Sequence, residues 1–207
     1  MESAGRKAHW QGVYTTKEED AVSWFQENPT PSLELLAFAN ATIDSGIIDI
    51  GGGASRLVDA LVKLGYRDLS VLDLSEAALA MARKRLAPEG GQVDWIVADI
   101  TTWEPRRLYD IWHDRAAFHF LTDAVDQQAY GDRLRRALRP GGYAIIGTFA
   151  KEGPEKCSGL PVVRHDADSL AAILGKEFAL VDTRRHAHET PWQSVQQFQF
   201  STFRFGA

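Results

Sequence analysis

Cysteine is almost absent: Cys157 is the single one among 207 residues. That excludes an intrachain disulfide, and no cysteine–histidine cluster has the spacing of a structural zinc site, so no metal is expected. No apolar run approaches the roughly 18 residues that cross a bilayer, and the opening MESAGRKAHW lacks the apolar stretch of a secretory leader. A cytoplasmic protein with no membrane partner is expected. A surplus of positive charge is also missing. Lys and Arg number 23 against 28 Asp and Glu, a formal charge of −5, which disfavours nucleic acid as a partner. Internal repeats and low-complexity tracts are lacking as well. The 44% of apolar residues that remain suffice, at this length, for one domain with a full core.

The densest signal lies in residues 46–59, GIIDIGGGASRLVD. Ile47, Ile48 and Ile50 flank Asp49 as in a buried strand. Gly51, Gly52 and Gly53 follow, and Leu57, Val58, Leu61 and Leu64 then recur at helical spacing before Gly65. A strand, a tight turn and a helix are predicted in that order. Glycine lacks Cβ and tolerates positive φ, so such a turn lets backbone N–H groups and a helix N-terminus approach a ligand closely.

Residues 1–45 are too few to enclose a core and read as a helical lead-in to a domain over 46–207. Thr16 with Glu19 fits a capping box opening a short helix through Ala21, Val22, Trp24 and Phe25 that stops before Pro29. Thr30 and Pro31 open a second, with Leu33, Leu35, Leu36 and Phe38 as its apolar stripe. Trp10, Tyr14, Trp24 and Phe25 either cover core edges or form a lid over a small ligand. Past the glycines, strands are predicted at 69–74, 93–98, 109–113 and 143–149, with helices at 75–86 and 123–138 and a turn at 139–142. A loop at 151–161 leads to a short helix capped by Asp166 or Asp168 and ended by Gly175. Strands at 178–182 and 195–205, joined by 183–194, close the chain. Alternating strands and helices with two successive strands at the end imply an α/β fold, a mostly parallel seven-stranded sheet with an antiparallel C-terminal hairpin.

Asp73 ends the second strand about 20 residues past the glycines, where an acid accepts hydrogen bonds from ribose hydroxyls, and Asp99 ends the third. A dinucleotide site has a third glycine where Arg56 stands, and phosphates would be repelled by acids at 49, 73 and 99. The set Asp49, the glycines, Asp73, Asp99 and RPGG resembles instead the class I S-adenosylmethionine-dependent methyltransferases, over roughly residues 45–150. That resemblance implies a single Rossmann-like methyltransferase domain with S-adenosyl-L-methionine as cofactor. Asp49, Gly51, Gly52 and Gly53 would line its methionine end, Asp73 would hold the ribose, Leu74 would border the adenine, and Asp99 with Ile100 would contact the adenine ring.

The end of strand four reads Trp112, His113, Asp114, Arg115, Ala116, Ala117, Phe118, His119, on the side where such sheets bind ligands. Arg115 either stabilises a thiolate-like nucleophile or pairs internally with Asp114 or a neighbour. His113 and His119 either accept a proton or pack. Cys157 is a thiolate in the loop or a small buried apolar residue. His186, His188 and Glu189 fit a solvated loop. The run WxDRAA, with Tyr130 and the downstream loop containing GP and LPV, resembles the thiopurine and related thiol methyltransferases over about residues 109–182. It implies a small-molecule methyl acceptor that is a soft nucleophile (thiol, sulfide, selenium or related), with Asp114, Arg115, His119 and Cys157 as catalytic candidates. Protein-lysine methylation is the alternative, since His9, Trp10 and Tyr14 resemble the HWxxxY lead-in of some protein methyltransferases. A monomer or homodimer is expected.

Overall fold

The computed structural model describes residues 3–206; Met1, Glu2 and Ala207, at the ends of the two spans expected above, lie outside the described residues. Helices α1 (Ser3–Thr16) and α2 (Thr30–Phe38) precede β1 (Ile47–Ile50), α3 (Leu57–Lys63), β2 (Leu69–Asp73), α4 (Glu76–Leu86), β3 (Asp94–Val97) and β4 (Tyr109–Arg115). Then come α5 (Ala124–Ala137), β5 (Leu138–Phe149), a small hairpin β6 (Lys156–Cys157) and β7 (Leu160–Pro161), α6 (Ala167–Leu174), β8 (Phe178–Glu189) and β9 (Val195–Phe205).

Seven strands form one sheet in the order β3-β2-β1-β4-β5-β9-β8. The first five run parallel, whereas β9 pairs antiparallel with both β5 and β8. All residues of β1 and β2 are buried, as expected where helices cover both faces of a parallel sheet. Strand periodicity divides them between two cores. Ile47, Val71, Ile111 and Ile145 pack with α2, α3 and α4, while Ile48, Leu72, Trp112 and Ile146 pack with α5 and α6. Strand order reverses between β1 and β4, where Asp49 lies opposite His113, and the carboxyl ends of these strands open a crevice at such a switch point.

Three local expectations are corrected. The lead-in helix is α1, ending at Thr16, whose hydroxyl bonds back to the Gly12 carbonyl at 2.8 Å instead of capping a following helix. Residues 17–29 are irregular because tertiary partners satisfy them: Glu19 pairs with Arg56 and Arg85, His188 Nε2 meets the Ser23 carbonyl at 2.8 Å, and Arg115 donates to the Trp24 carbonyl at 3.1 Å. The connection expected at 183–194 is mostly strand. β8 stays paired with β9 as far as Glu189 opposite Val195, and its polar run TRRHAHE suits the exposed face of an edge strand. The loop at 151–161 carries the hairpin β6–β7, and Asp166 is the residue that caps α6.

Candidate active site

A cavity with about 840 Å³ of empty space, its mouth included, opens at the carboxyl ends of β1, β2 and β4. Of the glycine turn, Gly51 lines it, whereas Gly53 lies behind Asp73 and does not. Gly51 (φ +67°) faces the Ala117 side chain so closely that a Cβ would stand 2.5 Å from the Ala117 Cβ, and one on Gly53 (φ +41°) would stand 2.8 Å from Asp73 Oδ2. Only glycine fits these positions. The Asp73 carboxylate accepts from the Ser75 N–H at 2.7 Å, and burial, partly opposed by such backbone bonds, pushes it up to about 7. Leu74, Asp99 and Ile100 line the same cavity, so most of the cofactor residues expected from the sequence come together. Asp99 is already engaged: Oδ1 accepts from the Thr101 N–H and hydroxyl at 2.9 and 2.8 Å, and Oδ2 pairs with Arg6 at 3.2 Å.

Asp49 and Gly52 line an adjoining cavity with about 590 Å³ of empty space, which shares Tyr14, Trp24, Gly51 and Arg115 with the first. Here Asp49 is tied into a buried chain. Its Oδ1 lies 2.7 Å from His113 Nδ1, and His113 Nε2 lies 2.8 Å from the Ser32 hydroxyl at the start of α2. Between two bonded nitrogens, His113 holds β4 to β1 and α2.

Arg115 stands at the junction of the two cavities. Its Nη1 donates to the Trp24 carbonyl and its Cζ lies 5.4 Å from the centre of the Phe198 ring. Nη2 is buried without a hydrogen-bond partner, and no carboxylate among the described residues lies within ion-pair distance. Burial pushes the group down to about 10, which still leaves it charged at neutral pH. Cys157 faces the same cavity from β6, and burial pushes its thiol up to about 11 despite hydrogen bonding to Ser23 and the charge on Arg115. It is therefore a thiol at neutral pH, not a thiolate.

The other two catalytic candidates sit elsewhere. Asp114 is fully buried and lines neither cavity; it accepts from the Ala117 and Phe118 N–H groups at 2.9 and 3.1 Å and from the Tyr130 hydroxyl at 2.8 Å. These bonds fix the turn in which Ala116 adopts φ +69° and Ala117 meets Gly51. Burial nevertheless pushes the carboxyl up to about 6. The expected Asp114–Arg115 pair does not form. His119 is fully buried, and burial pushes it down to about 3, so the ring is neutral. Its Nδ1 accepts from the Phe149 N–H at 3.3 Å, which leaves its proton on Nε2 and no basic nitrogen available.

Several cavity residues escaped the sequence reading. Arg6 bridges Asp99 and Asp126, at 3.2 and 2.5 Å, and Gln11 Oε1 accepts from the Ser75 hydroxyl and the Ala77 N–H at the start of α4, both at 3.2 Å. Nothing in α1 marked either residue. Phe120, Phe149, Gln196 and Phe198 also line the space. Trp10 and Trp24, the lid candidates, meet edge-on at 5.5 Å, and Trp10 meets Phe120 at 4.9 Å.

Residues 47–142 match a family described as the methyltransferase domain. Trans-aconitate 2-methyltransferase of Acidovorax sp. (strain JS42) is 30% identical over 162 residues, 73% of this chain and 60% of that protein. The chain thus spans about 60% of the length of that relative. EEF1A lysine methyltransferase 2 of Danio rerio is 27% identical over 157 residues, 69% of this chain and 67% of that protein. The solved structure of Burkholderia thailandensis 1,6-didemethyltoxoflavin-N1-methyltransferase, with bound 1,6-didemethyltoxoflavin and S-adenosylhomocysteine, is similar at a TM-score of 0.74 and 20% identity, covering 100% of this chain and 92% of that one. Residues 47–142 thus match a methyltransferase domain, in line with the class I S-adenosylmethionine-dependent methyltransferases that the sequence resembles. S-adenosyl-L-methionine is the cofactor of that class, and the glycine turn with a carboxylate at its rim fits a ligand that brings ribose hydroxyls and positive charge.

Proposed function

We propose that this protein methylates a small molecule whose accepting atom arrives already ionised: a thiolate, sulfide or selenolate. One observation carries the reading. The acceptor end of the cavity presents a guanidinium with no carboxylate partner, while the catalytic candidate Asp114 and the imidazoles of His113 and His119 are bonded elsewhere. The cofactor supplies a methyl group on a sulfonium. Transfer of that methyl group to an ionised acceptor would leave the bonding electron pair on the departing sulfur and the acceptor neutral, so no proton would have to move. Arg115 holds the acceptor's charge, Trp10, Trp24 and Phe120 exclude water, and alignment supplies the rest.

In this reading Asp73 holds the ribose, Gly51 and Gly53 let the backbone approach the cofactor, and Leu74 and Ile100 flank the adenine. Asp99 serves the adenine while sharing its carboxylate with Arg6. Asp49 and Gly52 face the methionine end from the adjoining cavity. Residues 1–45 act as a lid on a catalytic domain of 46–207. A lysine acceptor, favoured by the similarity to EEF1A lysine methyltransferase 2, would have to shed a proton with no base facing it and pass beneath α1.

The test supplies labelled cofactor with thiols, sulfide and selenide, with small carboxylic acids, and with lysine peptides. Labelled thioether or selenoether is expected. Turnover confined to peptides would overturn the reading, as would turnover confined to carboxylic acids. Arg115→Met is expected to lower kcat/KM for thiols about 100-fold, from loss of a charge-assisted contact, with S-adenosylhomocysteine affinity within about threefold of the parent. A loss confined to cofactor affinity would place the guanidinium on the cofactor's carboxylate instead.

A further inference from the structure

Two polar side-chain atoms in the cavity wall are buried without partners, and they differ in kind. Arg115 Nη2 is a donor and Gln196 Oε1 is an acceptor. Their placement is linked by β9. Arg115 stacks over Phe198, and Gln196 is two residues earlier on the same strand, so Gln196 and Phe198 share one face of the sheet. Along an extended strand two residues span about 7 Å, and Arg115 and Gln196 both line the one cavity. Aromatic side chains line the same cavity: Trp10 with Trp24 and Phe120 against it, and Phe198.

Unpaired buried polar atoms are costly, and two of opposite character in one aromatic-lined cavity are satisfied together by one ligand. We propose that Arg115 and Gln196 form a two-point acceptor subsite, which takes a flat molecule carrying its ionised reacting atom at Arg115 and a neighbouring N–H or O–H donor at Gln196. This rests on the ionised-acceptor reading above and adds the second point of recognition. Gln196 is a specificity residue here: it touches the acceptor away from the reacting atom. An acceptor without the donor leaves Oε1 unpaired and binds more weakly.

The experiment measures binding, so that it stands apart from turnover. Protein saturated with S-adenosylhomocysteine is titrated calorimetrically, under reductant, with thiophenol and with 2-aminothiophenol, which differ only in an amino donor beside the sulfur. The amino compound is expected to bind about tenfold more tightly, as one satisfied buried acceptor implies. In Gln196→Leu that preference is expected to fall to about twofold or less, because the variant removes the unpaired oxygen and keeps the bulk. Gln196→Met serves as a second variant of similar shape, and each is checked for the parent's melting temperature. Equal affinities in the parent protein, a preference that survives in both variants, or no binding of either compound would overturn the proposal. Failure of the ionised-acceptor reading would show differently: the pair would bind with the expected preference and neither member would be methylated.

Discussion

At the scale of single residues, burial decides which candidates do chemistry. Asp73 is a carboxyl pushed up to about 7 by desolvation, against an ordinary value near 4 in an unfolded chain. The folded protein therefore holds a proton there, between about pH 4 and pH 7, that the unfolded chain has released. The associated stability is fully present below about pH 4 and is lost as pH rises through about 7. Asp73→Asn carries no such dependence, so in urea melts it should gain about 1–3 kcal/mol on the parent between pH 5 and pH 8. A constant difference across that range would remove the ionisation from the account. In the parent, S-adenosylhomocysteine affinity should climb over the same interval, since ribose hydroxyls prefer the ionised carboxylate, and the variant should lose both the climb and part of the affinity. Cys157 makes the opposite case. With its thiol pushed up to about 11, Cys157→Ala should keep kcat/KM within about threefold, and iodoacetamide should label the parent slowly at pH 8. Rapid labelling with loss of activity would restore the cysteine to the chemistry.

At the scale of elements, what could be read from sequence was what local chemistry specifies. The glycine turn between β1 and α3, Ser75 capping α4 and Asp166 capping α6 all carry their reason within a few residues. Asp73, Leu74, Asp99 and Ile100 were legible because strand ends in this architecture converge on one crevice. The acceptor end was not, because its geometry is non-local. Whether Asp114 faces a ligand or its own turn depends on Tyr130 some way along α5, and whether Arg115 is paired depends on loop 17–29. The same holds for α1, whose polar residues show no pattern in sequence until Asp99, Asp126 and the start of α4 are placed beside it. Arg6 and Gln11 hold this helix over the cavity. Arg6→Ala combined with Gln11→Ala should speed S-adenosylhomocysteine release by about tenfold in stopped flow, the contribution expected of a few partly buried polar contacts, while the melting temperature moves little. An unchanged release rate would make α1 a fixed wall and not a lid.

At the scale of the whole molecule, elements from the N-terminal and C-terminal parts of the described residues meet at the cavity. α1 and loop 17–29 arrive from one side and β9 from the other, and His188 on β8 joins them through the Ser23 carbonyl. Among its contacts this one spans the sheet edge and the cover of the cavity directly. Burial pushes His188 down to about 4, so the tether is neutral at physiological pH. His188→Ala should raise amide exchange in residues 17–29 by about tenfold and weaken thiol binding, leaving β1 and β2 as protected as before. Exchange that stays at parental levels would show the loop held by its other contacts, Glu19 with Arg56 and Arg85 and Trp24 with Arg115.

The edge-on meeting of Trp10 and Trp24 gives the molecule an optical signature. Of the six tryptophans, Trp112 is sealed in the sheet core and Trp192 is exposed near the β8–β9 turn, so their emission stays constant when the cavity fills. Trp10 and Trp24 line that cavity, and their environment changes with every molecule that enters or leaves it. Intrinsic fluorescence thus reports occupancy without a label, and a screen for the natural acceptor needs only the protein, the demethylated cofactor and a collection of small molecules.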